Sequence, residues 1–164
     1  MRLTGGFLLN AVASAALRVR PSPRMSMGSL GGPEIAVLGG GFGGLYTALR
    51  LRSLDWSGGA PPRVTLVDRS ARFAFSPMLY ELAVGTATCW EVGPLYEELL
   101  EGTGIDFVRA EVVGLDEARR VVRLEEAREA SSASKERQLP FDHCVLAFGL
   151  RPAIELVPGA AEHA

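Results

Sequence analysis

Two cysteines and two histidines are all that the 164 residues contain, and neither pair forms a reactive constellation. Cys89 and Cys144 lack CxxC or CxxxxC spacing, so neither a disulfide framework nor a redox-active disulfide follows. Cys144 sits inside an apolar strand pattern, where a buried, inert thiol is the expected state. His143 and His163 have no partner at metal-ligand spacing, which argues against zinc, and no metal site is expected. Acidic residues are missing before Glu34, whereas Arg2, Arg18, Arg20 and Arg24 all precede it together with several serines. Residues 1–33 therefore read as a targeting peptide, pointing to an organelle, either plastid or mitochondrion. A secretory-type signal, the first half of a bipartite plastid signal and a disordered tail are the alternatives for this segment. Its apolar part, Gly5 to Leu17, is interrupted by Asn10 and Ser14 and falls short of the ~20 residues a membrane span needs. Without the four early arginines the chain keeps 13 basic against 19 acidic residues, a formal charge near −6 that disfavours nucleic acid.

What the sequence does have is a glycine-rich turn between two regular patterns. Ile35-Ala36-Val37-Leu38 is an apolar, strand-like run, and Phe42, Leu45, Ala48 and Leu49 recur at helical spacing with Arg50 and Arg52 off that stripe. Between them Gly39, Gly41 and Gly44 fall on GxGxxG spacing. Each has a separate task in a dinucleotide-binding turn. Gly39 permits the tight exit from the strand, Gly41 lets backbone approach a pyrophosphate, and Gly44 lets helix pack close to strand. The unpartnered N–H groups and positive dipole end of the helix place an anion site at Phe42, Gly43 and Gly44. An unliganded glycine loop fits the same six letters. The flanks favour the dinucleotide, because a second apolar strand, Arg63 to Val67, ends in Asp68, whose carboxylate can accept hydrogen bonds from ribose hydroxyls.

The strand, helix, strand order is a βαβ unit, so its strands are expected to be parallel with a right-handed crossover. Arg69 to Glu81 is unusually aromatic for a connection and either walls a flat ligand or folds onto the core. Pro94, Leu95 and Leu99 predict a short amphipathic helix stopped by Gly102 and Gly104. Ile105 to Val113 reads as a strand, and Arg120 to Leu124 as its antiparallel neighbour across a turn at Leu115-Asp116-Glu117. The polar run Glu125 to Gln138 reads as an exposed loop, and Phe141 to Gly149 as a returning buried strand. The expected fold is a three-layer α/β domain with parallel strands near Ile35 to Leu38, Val64 to Val67 and Cys144 to Ala147, plus a small antiparallel hairpin.

Three stretches resemble a known family: the glycine turn continued by Leu45-Tyr46-Thr47-Ala48, the run Phe75-Ser76-Pro77-Met78-Leu79-Tyr80-Glu81-Leu82, and Ala147-Phe148-Gly149 before Val157-Pro158-Gly159. Together they resemble the FAD-dependent pyridine nucleotide-disulfide oxidoreductase superfamily and, within it, the type II NAD(P)H:quinone oxidoreductases of the plant and algal organellar branch. The resemblance implies a Rossmann-like FAD-binding domain over residues 34–164, incomplete as an N-terminal fragment. It implies FAD, with Gly39 to Gly44 on the pyrophosphate and Asp68 on the adenosine ribose. Val112 would meet the adenine through its backbone, Ser76 and Pro77 would approach the isoalloxazine, and Ala147 with Gly149 would line the flavin's entry. Family members often carry Lys or Thr where Ser76 stands, and the wider superfamily prefers Thr where Phe148 stands. The implied chemistry is hydride transfer from NADH or NADPH to flavin and two-electron reduction of a quinone, with no side chain assigned a catalytic role.

The nicotinamide domain and a membrane-facing C-terminal part of such enzymes have no counterpart before Ala164. Peripheral membrane association is accordingly expected only of a full-length protein, and the 164-residue chain alone should be inactive and hold FAD weakly. Competing readings are another flavoprotein of the sulfide:quinone or ferredoxin reductase type, and a non-catalytic nucleotide-binding module. The lack of paired cysteines counts against the sulfide enzyme. A short-chain dehydrogenase is disfavoured because Tyr46, Tyr80 and Tyr96 each lack a Lys four residues on.

Overall fold

The computed structural model describes residues 31–126, 136–150 and Gly159. The segment read as a targeting peptide, up to residue 30, and Arg151-Pro152, Val157-Pro158 and His163 lie outside the described residues. Strand β1 (Glu34–Leu38) and strand β2 (Arg63–Asp68) are near-continuous apolar runs because both of their faces are covered. They pair in parallel, Ile35 opposite Val64 and Leu38 opposite Val67, and helix α1 (Phe42–Ser53) makes the crossover. Strand β3 (Ile105–Asp116) continues the parallel sheet beside β2 through Arg109. From Ala110 it pairs instead with antiparallel β4 (Val121–Glu126), which pairs with β5 (Glu136–Pro140). Strand β6 (His143–Leu146) returns parallel to β1, closing a six-stranded sheet in the order β5-β4-β3-β2-β1-β6.

Alternation along the strands divides the interior into two cores. Ile35, Val37, Val64 and Leu66 meet Leu45 and Ala48 of α1, joined by Phe73, Tyr96, Leu100 and Ile105. Ala36, Leu38 and Val67 face the other way, onto Ala110, Val122, Leu124 and Leu139. The second layer is therefore covered by the antiparallel strands, and the architecture is helix, parallel sheet, antiparallel meander. Between β2 and β3 the chain forms a 3-10 turn (Ser76–Met78) and the short helices α2 (Leu79–Ala83), α3 (Cys89–Val92) and α4 (Tyr96–Leu99).

Several expectations need correction. The hairpin turn is not at Leu115-Asp116-Glu117: β3 runs on to Asp116, absorbing one irregular pairing between Val112 and Gly114, and the turn occupies 117–120, with Arg120 at φ 56°. Glu125 to Gln138 is not one loop, since β4 extends through Glu126 and β5 starts at Glu136; residues 127–135 lie outside the described set. Sequence alone misses β5 because only Leu139 on it is buried, so no alternation is visible. At α4 and its C-cap the buried positions are Tyr96 and Leu100 rather than Leu95 and Leu99, one residue further along the same four-residue spacing. Phe141 to Gly149 is an edge strand only over His143–Leu146, and Cys144 is half-buried rather than enclosed. Arg52, off the apolar stripe, is nevertheless half-buried and ties α1 down by donating to the carbonyls of Thr103 (3.2 Å) and Pro62 (3.1 Å).

Candidate functional site

The site forms where β1 hands over to α1. Gly39 leaves the strand at φ 101°, with its N–H donating to the Val67 carbonyl at 2.8 Å. A Cβ there would press into the carbonyl of Ala147, whose own N–H donates to Leu38 at 2.8 Å. Gly44 is buried in the first turn of α1, where a Cβ would collide with the Gly39 carbonyl oxygen and come within 3.3 Å of the Ala147 side chain. These two glycines are needed for backbone to touch backbone. Gly41 and Gly43 differ: a Cβ on either would meet nothing within 4 Å. They border open space in front of the helix end, the room a ligand needs.

That helix end is arranged for an anion. Gly41 is the N-cap and supplies no side-chain cap, and the first turn of α1 holds no acidic residue, so its leading amides keep their positive field. Arg50 and Arg52 stand in the last turn, matching the opposite end of the dipole.

Asp68, at the end of β2, is turned toward this helix end. Its Oδ2 accepts from the Gly40 N–H at 2.6 Å and its Oδ1 from the Ser70 N–H at 2.7 Å. A carboxylate has about four lone-pair directions, so two remain for further donors such as ribose hydroxyls.

Beneath the turn lies Tyr96, which sequence reasoning did not single out. Its hydroxyl donates to the Gly40 carbonyl at 2.8 Å, and its ring stacks on Phe107 at 4.7 Å and meets Phe73 edge-on at 6.4 Å. Burial, with the Asp68 carboxylate adding to it, pushes the Tyr96 phenol well above its ordinary range, so it remains a donor. The available signal was the apolar Tyr96/Leu100 spacing, because a buried tyrosine hydroxyl needs a polar partner.

The aromatic connection folds in part onto the core and stays in part exposed. Phe73 is buried in the core beside α1, while Phe75 is half-exposed and packs edge-on against Phe42 at 5.3 Å. Phe42 in turn lies against Tyr46, 65% exposed, at 6.4 Å, which gives the helix end an aromatic wall. Ser76 and Pro77 follow Phe75 directly in the chain and are exposed. Arg72 braces this loop, donating to the Gly93 carbonyl at 2.7 Å and lying 5.2 Å over the Trp90 ring.

The structure thus brings together Gly39, Gly41, Phe42, Gly43, Gly44, Asp68 and Ala147. Gly149 follows Ala147 in an open, left-handed conformation at φ 69°. Val112 stands apart from this contact network. It lies on β3 beyond Arg109, the residue paired with Asp68, half-buried against the second core. Cys89 and Cys144 are both free, and burial pushes the Cys144 thiol up to about 11, away from thiolate chemistry at neutral pH. Among the described residues no cluster of His, Cys, Asp and Glu is grouped to hold a metal, and no helix is long and apolar enough to cross a membrane.

Known proteins resemble this chain in sequence and in fold. The family model for pyridine nucleotide-disulphide oxidoreductases matches residues 33–164. Demethylphylloquinone reductase NdbB of Synechocystis is 41% identical over 131 residues, covering 80% of this chain and 31% of that protein. The alternative NAD(P)H-ubiquinone oxidoreductase C1, chloroplastic/mitochondrial, of Arabidopsis thaliana is 44% identical over 134 residues, covering 79% of this chain and 26% of that protein. Among solved structures, NDH2 of Plasmodium falciparum in complex with NADH superposes with a TM-score of 0.64 at 20% identity, over 80% of this chain and 25% of that one. The chain spans about a third or less of the length of the curated relatives it matches.

Proposed function

The chain belongs to the pyridine nucleotide-disulphide oxidoreductase family, and from that premise we propose that it is the N-terminal, FAD-holding portion of a type II NAD(P)H:quinone oxidoreductase. The observation that carries this reading is the helix end itself: leading amides of α1 without an internal cap, fronted by Gly41 and Gly43, where a Cβ would meet only open space. A diphosphate fits that cradle by charge and by room. The names of the two relatives, each above 40% identity, add quinone reduction as the reaction class.

The helix end and Asp68 fit FAD by charge and by room, and the remaining roles are those that the resemblance implies. Amides at Phe42, Gly43 and Gly44 would hold the pyrophosphate, and Asp68, with lone pairs left over, would accept from the adenosine ribose. Val112 would offer backbone to the adenine. Ser76, Pro77, Ala147 and Gly149 would border the isoalloxazine, with Phe42 and Phe75 excluding water beside it. Bound there, FAD would supply two-electron chemistry, taking hydride from NADH or NADPH and passing electrons to a quinone. This chain's share of the work is binding, orientation and exclusion of water. The basic, acid-free leader and the Arabidopsis relative's printed location support import into a plastid or mitochondrion.

The test has two parts. Titration of the 164-residue chain with FAD and with ADP should show binding of both, with FAD held weakly because the isoalloxazine half would meet only a largely exposed border. NADH- and NADPH-dependent quinone reduction by the same chain should be absent. A chain that binds neither nucleotide would refute the reading; turnover by the short chain would refute its role as a portion of the site.

A further inference from the structure

We propose that Tyr96 is a positioning residue for the nucleotide site, holding the Gly40 peptide so that the glycine turn stays in its anion-binding shape. This rests on the dinucleotide reading above. The two peptide units that meet at Gly40 are pinned from different elements. The unit before it is held by its N–H on Asp68 Oδ2 at 2.6 Å, and the unit after it by its carbonyl on the Tyr96 hydroxyl at 2.8 Å. Together these bonds fix both backbone torsions of Gly40.

The need for such a pin lies in the sequence. Gly39, Gly40 and Gly41 are consecutive, and a run of glycines has no Cβ to restrict its torsions, so its peptide planes turn over at little cost. In a planar trans peptide the carbonyl and the next N–H point in opposite directions. With the Gly40 carbonyl drawn inward to Tyr96, the Gly41 N–H is directed outward, to the side where Gly41 borders open space. Losing the hydroxyl would free that peptide to rotate and would leave a carbonyl without its buried partner. Tyr96 also fills the room beside Gly40, since a Cβ on Gly40 would collide with its hydroxyl. The arm that delivers Tyr96 is itself anchored: its N–H donates to Ala71 at 3.0 Å, and Arg72 bridges to Leu95. The shape of the phosphate turn is thus coupled to the aromatic connection.

Tyr96→Phe separates positioning from packing, because the ring contacts with Phe107 and Phe73 persist while the hydroxyl is lost. The measurements are ADP titration of the full 164-residue chain by calorimetry, its thermal transition without ligand, and amide resonances of Gly40 and Gly41 in the 15N-labelled protein. We expect a cooperative transition, ADP affinity lower by about tenfold, and shifted or broadened Gly40 and Gly41 amides before any ligand is added. Unchanged affinity and unchanged glycine amides in a variant that only melts earlier would overturn the proposal and leave Tyr96 a packing residue. If the wild-type chain does not bind ADP, the dinucleotide reading falls and the proposal with it. Should Tyr96→Phe not fold, the wild-type protein decides. Its Tyr96 hydroxyl proton must exchange slowly and shift on ADP addition, and a fast-exchanging, ADP-insensitive proton would overturn the assignment.

Discussion

Gly41 and Gly44 carry the same letter in the same motif, yet the structure gives opposite consequences for replacing them. A methyl group at Gly44 would overlap the Gly39 carbonyl oxygen, and Gly39 cannot yield freely because its N–H is held by the Val67 carbonyl and its Cα faces the Ala147 carbonyl. Helix α1 must therefore lift from the sheet, disturbing Leu45 and Ala48, which seal the first core. Overpacking of this kind costs about 1–3 kcal/mol. For a domain of this size each kcal/mol corresponds to roughly 4 °C in Tm, so Gly44→Ala should melt about 4–12 °C lower. At Gly41 an added Cβ meets nothing within 4 Å and φ is −57°, a conformation any residue adopts, so the Tm of Gly41→Val should move by less than about 1 kcal/mol's worth. Its branched side chain would instead stand in the space assigned to the pyrophosphate, and FAD and ADP binding should fall below detection. Thermal circular dichroism and fluorescence-quenching titration on both variants provide the check. A Gly44→Ala protein with wild-type Tm, or a Gly41→Val protein with wild-type affinity, would refute the division of labour between the two glycines.

Two further outcomes follow from other parts of the fold. Leu124 is fully buried between the meander and the parallel sheet, so Leu124→Ala should destabilise by about 2–5 kcal/mol in denaturant titration without altering ADP affinity; a neutral result would mean that the meander does not seal that face. Burial raises the Cys144 pKa from 9.0 to about 11, so the folded state keeps its proton where the unfolded state has lost it; this contribution to stability is whole below pH 9 and lost as pH rises through 11. Exposed Cys89 should accordingly react first with a thiol reagent near neutral pH, and Cys144→Ala should flatten the alkaline loss of stability; equal reactivity of both thiols would contradict the burial.

The βαβ unit was open to reading because its signals are local. Strand β1 shows as an apolar run, and Gly39 and Gly44 as positions where backbone must approach backbone, as the structure has them; of the α1 stripe Leu45 and Ala48 are buried while Phe42 is exposed. The resemblance in the residues likewise agrees with the family to which the chain belongs. What depended on tertiary structure was everything that joins distant segments. Strand β5 has a single buried residue, so its place in the sheet comes from pairing with β4 and not from its own pattern. Strand β3 serves two layers only because its partner changes from β2 to β4 midway, an event no periodicity announces. Asp68 is legible as an acid at a strand end, but its orientation is set by amides of Gly40 and Ser70. Tyr96 reaches Gly40 across 56 positions of sequence. Local preference can specify an element; a hydrogen bond between remote groups exists only once packing has brought donor and acceptor together and removed the water that would otherwise satisfy them.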